Sequence, residues 1–124
     1  KLIAQNPLTV LCNSIRLAII DELVPYCVLG STVLNNDNVI FYKDDFMHLT
    51  QKCAAAIVNN YIKEHDINLA EFTPTRVADT LECNHIITSV MEGKTKRKAI
   101  KLPGYGSKRF MKVSIEKFNK HTTL

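Results

Sequence analysis

The sequence lacks any apolar run long enough to cross a membrane. Its run at Ala54–Val58 is far shorter than the roughly 18 consecutive apolar residues of a transmembrane helix. No basic, apolar and small-residue pattern in it is typical of a signal peptide, and it has no internal repeats, low-complexity tracts or interdomain linker. We expect one cytoplasmic domain over residues 1–124. Because the chain begins with Lys1 rather than Met, we expect it to be a segment of a longer protein.

Closely spaced cysteine pairs are absent as well. The four cysteines are Cys12, Cys27, Cys53 and Cys83, and no two of them form a Cys-x-x-Cys motif. Three of the four fall at apolar-facing positions of predicted helices or strands. We favour buried free thiols in a reducing cytosol over the alternatives, a metal site or a secreted disulfide framework.

The overall composition is that of an ordinary globular protein. Hydrophobic residues make up 46% of the chain and charged residues 23%. These values exclude a disordered tail, a collagen and a coiled coil. A chain of 124 residues buries roughly 65–70% of its unfolded surface, so a hydrophobic core alone is sufficient to stabilise it.

The charge is distributed unevenly along the chain. Residues 1–91 hold six basic and ten acidic side chains, a net charge of −4. Residues 92–124 hold ten basic side chains against Glu92 and Glu116, a net charge of +8. Such an excess in one third of the chain favours a polyanionic partner. The alternative is a solvated lysine-rich face with no partner.

Three helices are predicted from caps and apolar spacing. The first begins at Asn6, with Pro7 at the favoured first position, and ends before Pro25. The second is predicted over Asp45–Glu64, capped by Asp44 or Asp45. The third begins at Thr73-Pro74. The predicted buried stripes are Leu8, Leu11, Ile15, Ile19 and Leu23 in the first helix, Phe46, Leu49, Cys53, Ile57 and Tyr61 in the second, and Val77, Ala78, Leu81 and Ile86 in the third.

Strands are predicted on either side of the second and third helices. Val33-Leu34 and Val39–Tyr42 flank four consecutive Asn and Asp residues, which favours a hairpin turn at 35–38. A short strand is predicted near Ile86–Val90. Farther on, apolar residues alternate on both sides of the turn Pro103–Ser107, which predicts a basic β-hairpin formed by residues 100–102 and 111–115.

This element order predicts an α+β winged helix-turn-helix with three helices and a C-terminal basic β-hairpin wing. The alternative is a different small α+β domain in which the last hairpin pairs with Val39–Tyr42.

Three segments also carry a family resemblance. They are Asn6-Pro7-Leu8 in the first helix, the strand Asn38–Tyr42 leading into a helix, and Lys101–Phe110 with its glycine turn, basic residues and aromatic. The chain resembles the C-terminal winged-helix segment of replicative-type ATPases and helicases carried by phages, plasmids and bacterial genomic islands. The resemblance implies a DNA-handling accessory domain in a DNA replication or mobile-element protein, with the ATPase motor outside this chain.

The expected contacts are with nucleic acid, most of all duplex or forked DNA, with RNA as an alternative. Basic side chains would neutralise backbone phosphates, and Tyr105 would stack on a base or bind a phosphate. The residues expected in the wing are Lys94, Lys96, Arg97, Lys98, Lys101, Tyr105, Lys108, Arg109 and Lys112. Those expected on the third helix are Thr75, Arg76, Thr80 and Asn84. Because Asp79 and Glu82 would repel phosphates, we expect binding led by the wing and independent of base sequence. Phe110 is expected to pack in the core.

No arrangement of residues predicts catalysis. Gly93-Lys94-Thr95 matches the end of a phosphate-binding loop, but Thr88 stands where that motif needs a glycine. Cys83 and His85 are two positions apart on a helix end, which points their side chains apart. We therefore expect no enzyme activity, no metal and no cofactor. The alternative function is a protein-interaction or oligomerisation module that binds the rest of its parent protein or another partner and makes no direct DNA contact.

Overall fold

The computed structural model describes residues 6–33 and 37–123, which form an α+β domain. This part of the chain contains four helices: α1 (Pro7–Ile20), α2 (Gln51–Glu64), α3 (Pro74–Cys83) and α4 (Ile115–Asn119). Its strands are β1 (Tyr26–Val28), β2 (Ile40–Lys43), β3 (Phe46–Leu49), β4 (Val90–Glu92), β5 (Thr95–Arg97), β6 (Ile100–Lys101) and β7 (Arg109–Ser114). The predicted α+β class is confirmed. Among the described residues, no helix has the length and apolar character needed to cross a bilayer.

Five of the strands form one mostly antiparallel sheet, in the order β1-β2-β3-β7-β6. Only the pairing of β1 with β2 is parallel within this sheet. β3 and β7 are central, with Phe46 opposite Ser114 and Leu49 opposite Met111. β4 and β5 form a separate two-stranded hairpin.

Both faces of this sheet are covered. On one face, Leu49 and Met111 join the main core with residues of α1, α2 and α3, including Ile15 and Val58. On the other face, Phe110 belongs to a smaller core whose remaining buried members are Val39, Phe41 and Tyr105. Neighbouring residues of β7 are therefore buried on opposite faces, and the predicted burial of Phe110 is confirmed.

The predicted starts of the first and third helices are confirmed. The Asn6 side chain accepts hydrogen bonds from the amides of Leu8 and Thr9, and the Thr73 hydroxyl accepts one from the amide of Arg76. The predicted end of the first helix was wrong. α1 stops at Ile20, and Leu23, expected in its buried stripe, is 62% exposed.

The predicted start of the second helix was also wrong. α2 begins at Gln51, and its cap is Thr50, whose hydroxyl accepts a hydrogen bond from the Cys53 amide at 3.0 Å. Asp44 and Asp45 instead form the turn between β2 and β3, and Asp44 has a φ of 55°. Residues 46 and 49 have helical spacing, but Phe46 pairs with Lys43 of β2 and Ser114 of β7, and Leu49 pairs with Met111 of β7.

The hairpin predicted around residues 35–38 is replaced by a different pairing. Val33 lies outside any strand, and residues 34–36 lie outside the described part of the chain. β2 pairs with β1 in parallel and with β3 through the turn at Asp44 and Asp45. The last hairpin joins the sheet at β3, so it does not pair with Val39–Tyr42 as the alternative fold required.

The basic third of the chain forms two hairpins, although one was predicted. β6 and β7 form the expected hairpin around the turn at 103–107. Lys94, Lys96 and Arg97 belong to the separate β4–β5 hairpin. The strand expected near Ile86–Val90 begins only at Val90, and Ile87 makes a single bridge to Val113.

Candidate nucleic-acid interface

A groove of about 420 Å³ separates α3 from the β4–β5 hairpin. Thr75, Asp79 and Glu82 line it on the α3 side. The opposite side is basic and consists of Lys96, Arg97, Lys98 and Arg109. The fold therefore brings together four of the predicted basic contacts with one predicted residue of the third helix.

The β4–β5 hairpin is closed by a tight turn, and the Glu92 carboxylate connects it to the β6–β7 hairpin. Gly93 has a φ of 65°, a backbone conformation that favours glycine, and it places Lys94 at the tip of the hairpin. Lys96 is opposite Met91 in the register, and both side chains are exposed. The segment Gly93-Lys94-Thr95 is therefore part of a hairpin turn and the strand that follows it.

Glu92 joins the two hairpins through two arginines. Its Oε1 is 2.9 Å from Nη2 of Arg109 and 3.3 Å from Nε of Arg97. The hydrogen bond from Arg109 lowers the pKa of the Glu92 carboxyl below its usual value, and the charges of Arg97 and Lys101 act in the same direction. Glu92 is therefore ionised at neutral pH and holds both guanidinium groups at the basic wall of the groove.

Lys98 is neutralised by the acidic residues of α3. Its Nζ is 2.5 Å from Oδ1 of Asp79 and 3.8 Å from Oε1 of Glu82. The hydrogen bond that Lys98 donates to the Asp79 carboxylate raises the pKa of Lys98. Glu82 also accepts a hydrogen bond from Ser89. The positive charge of Lys98 thus partly balances the negative charges of the two acids that were expected to repel phosphate. For the same reason, Lys98 attracts a negatively charged ligand less strongly than an unpaired lysine would.

The remaining predicted basic residues do not line the groove. Lys108 is ion-paired with Asp37 at 2.5 Å, and its hydrogen bond lowers the pKa of that carboxyl. Lys112 lies 4.2 Å over the Phe46 ring and lines a different cleft, of about 360 Å³. Lys101 is exposed on β6, opposite Arg109. Lys112 is therefore not brought together with the groove residues.

Tyr105 is located in the smaller core. It is only 9% exposed, and its ring centroid is 4.5 Å from that of Phe41. Its hydroxyl accepts a hydrogen bond from the Gly30 amide at 2.7 Å and donates one to the Ser31 carbonyl at 3.0 Å. The side chain predicted to touch nucleic acid thus holds the 29–33 loop against the sheet, and we give it a packing role.

The other predicted residues of α3 mostly support the helix itself. The Arg76 guanidinium donates to the Ala70 carbonyl at 3.0 Å and stacks 4.1 Å over the Phe72 ring. The Thr80 hydroxyl donates to the Arg76 carbonyl at 2.7 Å. Asn84, the C-cap, donates to the Thr80 carbonyl at 2.8 Å. Of the four residues predicted on this helix, only Thr75 lines the groove.

The sequence interpretation missed Gln51 and Ser89 in this groove, and it missed that Glu92 pairs with two of the arginines that line it. Glu92 carried a usable signal, because it is one of only two acids in the basic third of the chain. Gln51 and Ser89 carried none, because polar residues near helix and strand ends are common.

The cysteines and other metal-ligating groups do not form a site in the described residues. No three His, Cys, Asp or Glu side chains there lie close enough to hold a metal ion. All four cysteines are free, and Cys83 is exposed, unlike the buried thiols that we expected. Burial raises the pKa of Cys12 to about 12 and that of Cys53 to about 11, so both thiols are protonated at neutral pH.

Comparisons with known proteins identify no relative. No protein-family model, no curated protein and no solved structure matches the chain.

Proposed function

We propose that this chain is a nucleic-acid-binding accessory domain that contacts the phosphate backbone, most of all that of DNA, through its two basic hairpins. The observation that carries the proposal is where the excess charge lies. Lys94, Lys96 and Lys101 are exposed on adjacent hairpins and form no ion pair with the described residues. Unpaired cations release counterions from nucleic acid on binding, and this release is the main source of sequence-independent affinity.

A winged-helix arrangement is part of the proposal. The order α1, β3, α2, α3, hairpin, β7 supports it, as does the return of β7 beside β3. In this arrangement the β4–β5 hairpin is the wing and α3 is next to it. The acids of α3 and the internal bonds of Arg76 favour contact with the backbone over base readout.

The setting is proposed from the resemblance and the cysteines. The resemblance supports a parent protein of the replicative ATPase or helicase type from a phage or mobile element, in which this domain has no catalytic role, metal or cofactor of its own. The four free cysteines support a cytoplasmic location.

The test of this proposal is a binding titration with a triple charge reversal. Fluorescent duplex, forked DNA, single-stranded DNA and structured RNA are titrated with the chain at several salt concentrations. We expect affinity to fall steeply with salt, with a slope of roughly 0.9 per phosphate contacted. Lys94→Glu/Lys96→Glu/Lys101→Glu should weaken binding by at least about 100-fold and leave the melting temperature nearly unchanged, because these side chains are exposed.

The matched control reverses three exposed lysines of the acidic part of the chain, Lys43, Lys52 and Lys63. It changes the net charge by the same amount, so it reports the long-range effect of charge alone. Equal losses in the two triple variants, or no binding by the wild type at low salt, would refute the proposed interface. The ranking of the four ligands decides between DNA and RNA.

A second candidate function is self-association, favoured by an apolar surface away from the groove. Ile20, the last residue of α1, is 58% exposed, Leu23 just after the helix is 62% exposed, and Val28 on the edge strand β1 is 52% exposed. An exposed edge strand has unpaired backbone groups that a second chain can pair with. Sedimentation velocity over a hundredfold concentration range tests this candidate, and a constant monomer coefficient would reject it.

A further inference from the structure

Two arginines from different hairpins converge on a single carboxylate oxygen. Arg97 is on β5 and Arg109 begins β7, and both ion pairs use Oε1 of Glu92. The three side chains are about one-third exposed, and the two arginines line the groove between α3 and the hairpin. Converging guanidinium groups are the usual way in which proteins bind carboxylate and phosphate.

Two N–H donors of these arginines have no hydrogen-bond acceptor in the described structure. Nε of Arg97 and Nε of Arg109 are both buried, and neither makes a hydrogen bond within the described structure. Nε of Arg97 is close enough to Glu92 for an ion pair, but it does not satisfy hydrogen-bond geometry. A buried donor without a partner is unfavourable and needs an explanation. Both arginines contact the same oxygen of Glu92, whereas a ligand that places one oxygen at each guanidinium group would provide acceptors for both.

We propose that Glu92 occupies a phosphate-binding site and that a backbone phosphate of the bound nucleic acid replaces it between Arg97 and Arg109. The inference rests on the proposed function and deepens it, because it assigns one phosphate subsite and an internal competitor. A phosphodiester has the same negative charge as the carboxylate and offers two unesterified oxygens in a tetrahedral arrangement, one for each guanidinium.

The surroundings of the site fit a phosphodiester. Lys96 lines the same groove, adds a cation and forms no ion pair within residues 6–33 and 37–123. Thr75 and Gln51 provide polar groups near the start of α3. Without ligand, Glu92 keeps the two arginines assembled. When a phosphate binds, displacement of Glu92 reduces the net affinity, so Glu92 acts as a built-in competitor.

The experiment compares two neutralised glutamates in the full chain. Glu92→Gln removes the competitor, and Glu116→Gln removes the other acid of the basic third, which lies on α4 and pairs with the C-cap residue Lys120. Both variants change the net charge by one unit, so long-range attraction rises equally. We expect Glu92→Gln to bind fluorescent duplex roughly 3- to 10-fold more tightly than Glu116→Gln, with similar melting temperatures.

The outcomes separate this inference from the proposed function. Wild-type binding with equal affinities for the two variants would overturn the inference and leave the proposed function standing. No binding by the wild type or by either variant at low salt would overturn both. Binding by Glu92→Gln alone would support both, with the wild type held inactive by its own carboxylate.

A second measurement guards against a loosened hairpin in the variant. The arginine Nε–Hε NMR signals of the wild-type chain are followed during titration with pyrophosphate. We expect the signals of Arg97 and Arg109 to shift together. Arg16 is the internal control, because its Nε is also buried while its Nη1 bonds to Asn119 far along the chain. Equal shifts for all three arginines, or none, would overturn the proposal.

Discussion

The Tyr105 side chain makes its contacts within the domain, although its place in the sequence is also compatible with a contact to nucleic acid. Tyrosine between two glycines at a turn is compatible with stacking on a nucleic-acid base. Here the hydroxyl bonds to Gly30 and Ser31, and the ring packs on Phe41. Both ends of the side chain are thus used within the domain. The burial of the ring provides stability, and the hydroxyl connects the loop at 29–33 to the turn at 103–107.

We expect Tyr105→Phe to lower the free energy of unfolding by about 1–2 kcal/mol, because the Gly30 amide loses its partner in a half-buried place. Urea denaturation measures this change. Nucleic-acid affinity should stay within about twofold of the wild type. A stable variant with much weaker binding would instead make the hydroxyl a ligand contact.

At the level of helices and strands, Asp44 and Asp45 could either cap α2 or form a turn before β3. Asp44 and Asp45 have the chemistry of a helix cap, yet they form a hairpin turn, and Thr50 caps the helix. The turn allows β3 to pair with β2 and then with β7. A helix that began at Asp45 would remove the central strand of the sheet.

We expect Thr50→Ala to lower the free energy of unfolding by about 1 kcal/mol, because the Cys53 amide loses its capping oxygen. Asp45→Ala is the control. Its side chain is exposed and caps no helix, so its effect should stay within about 0.5 kcal/mol. Thermal or urea unfolding of both variants gives the comparison, and the opposite ranking would place the start of the helix at Asp45.

For the molecule as a whole, the free energy of unfolding depends on pH because His48 is buried in the sheet. His48 of β3 is opposite Phe41 of β2 on one side and Lys112 of β7 on the other. Its Nδ1 is buried and has no hydrogen-bond partner in the described structure. Burial lowers the pKa of His48, and the positive charge of Lys112 lowers it further. The folded chain therefore holds His48 neutral at a pH where the unfolded chain binds a proton.

This linkage predicts that the free energy of unfolding falls as the pH drops from 7.5 to 5.5. Below the ordinary histidine value of 6.5, the unfolded chain takes up a proton that folded His48 refuses. Asp37 and Glu92 have lowered pKa values, so their contributions are lost only at more acidic pH. Urea unfolding at both pH values measures the effect. His48→Gln should reduce the difference between the two pH values, and an unchanged difference would exclude His48 as its source.

Local chemistry in the sequence determined the features that depend on neighbouring residues. Asn6-Pro7 and Thr73-Pro74 predicted two helix starts, because a cap and its proline act within one turn. The turn at 103–107 predicted the β6–β7 hairpin for the same reason. The charge asymmetry is visible in the sequence alone, because it needs no fold.

Contacts between groups far apart in the sequence depend on tertiary packing. Sheet order, the burial of Tyr105 and the convergence of Arg97 and Arg109 on Glu92 all depend on packing between separate elements. Local patterns do not specify such contacts, because the same alternation of residues fits several sheet neighbours. The sequence thus predicted a basic surface, and the fold determined which of its charges are paired and which are exposed.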